Sequence, residues 1–438
     1  MEHPPTEGPR PRRPRRRRTG RGPAAAASLA LFSGLLAACS ASADSGTPEL
    51  VWYTNPDAGG QAKVAEDCST DDYTISTQVL PQDANQQRIQ LARRLAAEDP
   101  QIDIMSIDPP FTAEFANAGY LAELPQELQD KLSEQSFEGA TTAATWEDQL
   151  VVAPFWSNTQ VLWFRKSFVE KTDLDMGQPV TWDQIIDAAA DNGGKVAVQA
   201  NKYEGYVVWI NSLIAGAGGE IATDTEEGVD LQLELDGEAA AEAAAVIEKL
   251  AGSAAAPADL SVSQEGQAGG TFGSADGAFL TNWTYIWTNY DETQPEVKED
   301  IGYARYPQTV EGEESRPPYG GIGVGVSAYS DNVEEAMQAI ECITSPENQG
   351  VNAELTGNMP ASAEGYDYPA LKDIYPQDLL DLFQESLEAA APRTVTPYWS
   401  DISGGIQSTW HPPSGVDGNT PEDSQQFVEE VLKGEGLL

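Results

Sequence analysis

The sequence predicts an α/β chain of two lobes, and three stretches predict it. Between residues 49 and 124 the pattern of strand, loop and helix occurs three times, as in a parallel sheet covered by helices. An apolar and aromatic run at 153–165, APFWSNTQVLWFR, is interrupted at Ser157, Asn158 and Thr159 and can cross from one lobe to the other. A glycine-rich run at 317–326, PPYGGIGVGV, offers the crossing back, and its glycines let backbone approach a ligand closely.

Taken in order, ELVWY at 49–53 is the first strand, and Thr54, Asn55, Pro56 and Asp57 begin the loop that leaves it. Val64, Ala65 and Cys68 continue as a helix. YTISTQVL at 73–80 alternates like a second strand. A helix follows over 87–98, with Ile89, Leu91, Ala92, Leu95 and Ala96 on one face. The third strand, IDIMSI at 102–107, is nearly continuous in hydrophobicity, which suits burial on both faces. Asp108 stands where it ends, and Pro109 and Pro110 stop the ladder. Ligands of open α/β sheets gather beyond the carboxyl ends of strands, which makes Asp108 a candidate contact; capping the helix that follows is the other reading.

Beyond residue 124, WEDQLVV at 146–152 reads as a hairpin, Thr181 opens a helix over 182–190, and 195–200 is a strand. A buried helix at 206–215 ends at Gly216, Gly218 and Gly219. An alanine-rich helix spans 237–250, a glycine-rich turn region 266–277, and AFLTNWTYIW at 278–287 is an aromatic strand or a strand-to-helix junction. After the second crossing come a helix at 332–345, a turn at 357–360, a helix at 376–391, an extended rim at 392–397 and a closing helix at 424–432.

The N-terminal segment is read apart from the fold. Eight arginines between Arg10 and Arg21 precede an apolar run at 24–38 too short to span a bilayer comfortably, so residues 1–38 are expected to be an export signal. The run ends in LAAC, which resembles the lipobox of bacterial lipoproteins. Cys39 would then carry lipid and 39–48 would be a tether; an ordinary cleavage site with an incidental cysteine is the alternative. The remaining 400 residues suffice for two domains with their own cores. They hold 17 basic and 68 acidic side chains, a balance that repels nucleic acid and anionic lipid. Cys68 and Cys342 remain in a chain read as exported, where disulfides persist, and are expected to pair. Two histidines, His3 and His411, leave almost no material for a His-based metal site or a Ser-His-Asp triad, and no metal or cofactor is expected.

This order of pieces resembles the extracellular solute-binding proteins of ABC sugar importers, the class that includes maltose- and trehalose-binding proteins. The blocks NQQRIQLARRLAAEDPQIDIMSIDPPFTAEFANAGYLAEL, VQANKYEGYVVWINSLIAGAGG, TNWTY, PYGGIGVGV and PRTVTPYWSDIS look like its trehalose-binding lipoprotein members. The resemblance covers nearly all of the chain after the signal. It implies a type II periplasmic-binding-protein-like fold with a disaccharide in the interlobe cleft. Lobe 1 would take 49–157 and 319–360, and lobe 2 would take 158–318 and 361–438. It also implies a monomer at the extracellular face of the membrane, lipid-anchored through Cys39 and docking on an ABC permease.

The residues it points to can be weighed on chemistry. Asp108 would accept from paired sugar hydroxyls, as an acceptor-only carboxylate suits. Asn55 and Gln86 would donate to and accept from neighbouring hydroxyls, although Asn55 could simply hold the turn before Pro56 and Gln87 competes with Gln86 for the inward position. Asn158 would face the same sugar from the crossing. Glu265 would take hydroxyls of the second ring, a solvated loop side chain being the plain reading. Trp283 would stack on a pyranose face, unless it is core with Tyr285 and Trp287. Gly321 and Ile322 would allow close approach. Arg393 would donate to the ligand or form a surface ion pair. Tyr203 and Glu204 are read as packing. Trehalose is the expected cargo and maltose or another glucoside the alternative. An exported glycoside hydrolase using Asp108 and Glu265 is the rival from another class.

Overall fold

The computed structural model describes residues 47–438; the signal segment and Cys39 lie outside the described residues. Eight strands form one continuous mixed sheet: β1 (Glu49–Thr54), β2 (Thr74–Val79), β3 (Ile104–Ile107), β4 (Ala153–Arg165), β5 (Lys195–Ala197), β6 (Gly277–Trp283), β7 (Ile301–Ala304) and β8 (Tyr319–Val326). Their order is β2-β1-β3-β8-β4-β6-β5, with β7 also on β4. Strands β1, β2 and β3 run parallel, as the repeated strand-helix units predict, and β6 pairs parallel with β5. The pairings of β8 with β3 and of β4 with β8, β6 and β7 are antiparallel.

Two strands knit the lobes together. β4 pairs with β8 through residues 153–159 and with β6 and β7 through residues 160–165, so one thirteen-residue strand serves both halves. Its first twelve residues are buried, which explains its apolar sequence. β8 returns across β3 and the start of β4. Gly321 has φ +134° there, and a Cβ on it would meet the Trp156 carbonyl oxygen at 2.2 Å, so this crossing requires glycine.

The helices follow the predicted signals with local exceptions. Thr181 caps Trp182–Asn192 in a reciprocal bond with Gln184, and Asp83 caps Ala84–Leu95 through Gln86 N. The stretch read as a glycine-rich turn at 266–277 is largely helical, Glu265–Phe272, because Ala268 and Phe272 bury one side and outweigh the weak propensity of glycine. Cys68, at the end of helix Gly60–Asp67, is disulfide-bonded to Cys342 of helix Val333–Ile343.

Candidate functional site

The sheet brings strand ends and loops from both halves of the chain around one cleft of about 820 Å³. Small-molecule sites typically occupy about 300–1,000 Å³. Asn55, Asp108, Asn158, Glu265, Trp283, Gly321, Ile322 and Arg393 all line it. Gln86 does not. The helix buries Gln87 on one face with Leu91 and Leu95, so Gln86 is exposed while Gln87 lines the cleft, its Nε2 donating to Pro81 O at 2.8 Å. Gln87 thus replaces Gln86.

One wall is built on β1 and β3. Trp52 Nε1 donates to Ser106 Oγ at 3.0 Å, Ser106 Oγ to Gln61 Oε1 at 2.8 Å, and Gln61 Nε2 to Asn55 O at 2.8 Å. This buried chain fixes the loop that carries Asn55. Asn55 Oδ1 itself is buried with no partner, an acceptor left free at the cleft. Asp108 makes no side-chain capping bond to the turn after it, so its carboxylate is not spent on the backbone.

That carboxylate is instead held by Arg393, which corrects the alternative of a surface ion pair. Arg393 is 6% exposed; its Nη2 donates to Asp108 Oδ1 at 2.8 Å and its Nη1 to Glu204 Oε1 at 2.9 Å. Glu204 is fully engaged, because Trp399 Nε1 donates to Oε1 at 2.8 Å and Ser403 Oγ to Oε2 at 2.5 Å. Burial raises the Asp108 carboxyl above the ordinary range, Arg393 draws it back and Glu204 adds to the rise. Arg393 therefore orients Asp108 in addition to lining the cleft.

The opposite wall comes from β6 and the helix starts near it. Glu265 is the first residue of its helix, and burial pushes its carboxyl up to about 7, with the Trp283 indole holding it down and Asp108 adding repulsion. Trp283 is half-buried, and its six-membered ring lies against Gly320, where an added Cβ would come within 2.8 Å. Its placement is at the cleft wall, between the platform and core readings. Tyr203 donates to Gln199 Oε1, and Gln199 Nε2 is buried without a partner. The Asn158 side chain is largely spent inside the protein: Nδ2 donates to Asn358 Oδ1 at 2.8 Å, and Oδ1 accepts from Thr284 Oγ1 at 3.0 Å and Met359 N at 3.1 Å. It ties the β4 crossing to the 357–360 turn and leaves Asn358 at the cleft.

Sequence reasoning placed Gln87 second to Gln86, read Tyr203 and Glu204 as packing, and missed Gln199, Tyr285 and Asn358 as lining residues. The spacing of four and eight residues before Leu91 and Leu95 could have found Gln87. Glu204 gives no local signal, because its partners lie 189 to 199 residues away in sequence.

A sequence profile for bacterial extracellular solute-binding proteins matches residues 54–350. A probable ABC transporter-binding protein of Deinococcus radiodurans is 23% identical over 339 residues, 74% of this chain and 77% of that protein. The structure is similar to maltose-bound MalE3 of T. maritima, with TM-score 0.78, 21% identity, and 88% and 99% of the two chains covered. It is also similar to the GacH receptor of Streptomyces glaucescens, solved unliganded and with acarbose and an acarbose homologue, with TM-score 0.75, 18% identity and 88% and 99% coverage. A solute-binding protein of Thermotoga lettingae bound with α-D-tagatose gives 0.74, 18%, and 88% and 100%. The shared fold is the two-lobe periplasmic-binding-protein-like α/β fold.

Proposed function

Because the chain belongs to the bacterial extracellular solute-binding protein family, we propose that it captures a disaccharide between its lobes and delivers it to an ABC permease from the outer face of the membrane, anchored by lipid on Cys39. One observation carries the reading. Asn55 Oδ1 on one wall and Gln199 Nε2 on the other are an acceptor and a donor, both buried and both unpartnered, at the same cleft. A polyol supplies both kinds of partner, and leaving such groups unpaired costs about 1–3 kcal/mol each.

In this reading Asp108 and Glu265 accept hydrogen bonds from sugar hydroxyls, Trp283 and Tyr285 present flat apolar faces, and closure proceeds by bending at β4 and β8. Asn158 and Arg393 hold the contact residues in place. Trehalose is the proposed cargo. Maltose or another glucoside is the second reading, favoured by the likeness to a maltose-bound structure.

Calorimetric titration against trehalose, maltose, sucrose and cellobiose decides between them. Trehalose is expected to bind tightest, near micromolar, roughly −8 kcal/mol. A clear preference for maltose would replace the cargo, and glucose released from trehalose would establish hydrolysis instead.

A further inference from the structure

We propose, building on the sugar-binding reading above, that the cleft selects cargo by charge: it binds disaccharides carrying a protonated amine more tightly than the neutral parent and rejects those carrying phosphate or carboxylate. The observation is an imbalance at the buried part of the cleft. Asp108, Glu204 and Glu265 line it with Arg393, which among the described residues is the one basic side chain of the lining. Both ends of its guanidinium are already committed, to Asp108 and to Glu204. No cation is left to meet an anionic sugar, and these four groups keep a surplus of two negative charges when all three carboxylates are ionised, to which Asp57, Asp83, Asp291, Glu292 and Glu354 of the same lining add.

The free valences beside Asp108 are acceptors, whereas Gln199 on the other wall leaves a donor free. Glu204 accepts from three donors and is filled. Asp108 accepts from Arg393 through Oδ1, and the second oxygen stands open beside the cleft. Asn55 Oδ1 is a buried acceptor without a donor. Glu265 is walled by Tyr203, Trp283 and Tyr285, aromatic groups that remove water without neutralising its charge. An ammonium offers three donors and no acceptor, and places positive charge where water is excluded. Gln199, 4% exposed, lines this wall with Nε2 unpartnered, a donor free to meet a hydroxyl oxygen of the same sugar.

A hydroxyl replaced by an ammonium turns a hydrogen bond with charge on the acceptor alone, at Glu265 or Asp108, into a contact between opposite charges. The added Coulomb attraction, less the cost of desolvating the ammonium, amounts to an affinity gain on the order of tenfold. A phosphate meets two carboxylates with no free cation, and its binding is lost.

The test is a calorimetric panel on the full chain at pH 7.5: trehalose, its series of monoamino-deoxy analogues, and a trehalose monophosphate. The expected result is that at least one amino analogue binds about tenfold tighter than trehalose, that added salt shrinks the gap, and that the monophosphate gives no heat. In Glu265→Gln the ratio between that analogue and trehalose falls toward one, whatever the change in absolute affinity. If trehalose binds but every amino analogue binds equally or more weakly, or if the monophosphate binds as well as trehalose, charge selection is overturned and the sugar reading stands. If trehalose and all its analogues give no heat, the sugar reading falls and takes this proposal with it.

Discussion

Arg393 neutralises the buried Glu204 and the partly buried Asp108 at once, so its loss leaves both without a cation. Breaking a buried pair from one side costs about 3–5 kcal/mol. Arg393→Ala is therefore expected to lower the unfolding free energy by about that amount in a urea titration and to weaken sugar binding as well. Asp108→Ala and Glu265→Ala remove cleft acceptors with less structural support, and each is expected to weaken binding by about 1.5–3 kcal/mol while the protein stays folded. Glu265 also carries a pH signature. Its folded value near 7 exceeds the ordinary 4.5, so the folded chain holds a proton that the unfolded chain has released. That contribution is present below about 4.5 and is lost as pH rises through about 7. Melting temperatures of ligand-free wild type and Glu265→Gln across this window are expected to diverge in that sense. Asp108 was readable because a strand visibly stops at it. The choice of Gln87 over Gln86 was open to the same kind of reading, because Gln87 stands four and eight residues before the buried Leu91 and Leu95. Glu204 was read as packing; it packs and also anchors Arg393, through contacts that no local pattern records.

At the level of elements, the two crossings carry the architecture. Gly321→Ala places a Cβ on the Trp156 carbonyl at a backbone angle that L side chains avoid, and is expected to cost at least about 2 kcal/mol in stability. The melting temperature checks it; an unchanged value would mean that β8 accommodates a side chain. The Cys68–Cys342 bond closes a loop of 274 residues and pins helix Gly60–Asp67 to Val333–Ile343. Replacing both cysteines by alanine is expected to cost about 3–5 kcal/mol. The crossings were legible, since thirteen residues of mainly apolar sequence and a run of eight residues with four glycines have few other uses in an α/β chain. Helix Glu265–Phe272 was not, because its glycines suggest a turn until Ala268 and Phe272 are seen to be buried.

For the whole molecule, the strong negative charge acts on stability and closure together. Like charges on a compact chain repel, and salt screens them over about 10 Å at 0.1 M. Thermal stability is expected to rise with sodium chloride. The alternation of strands and helices made the fold class legible from sequence, but which polar groups meet across the cleft depends on how the two walls face each other, and that arises only when β4 and β8 pair. The central claim is that both walls act on one sugar. Titration of trehalose into wild type, Asp108→Ala and Glu265→Ala tests it most directly. One-site binding near micromolar in wild type, weakened about tenfold or more in both variants, is the predicted result. Binding untouched in either variant would contradict it.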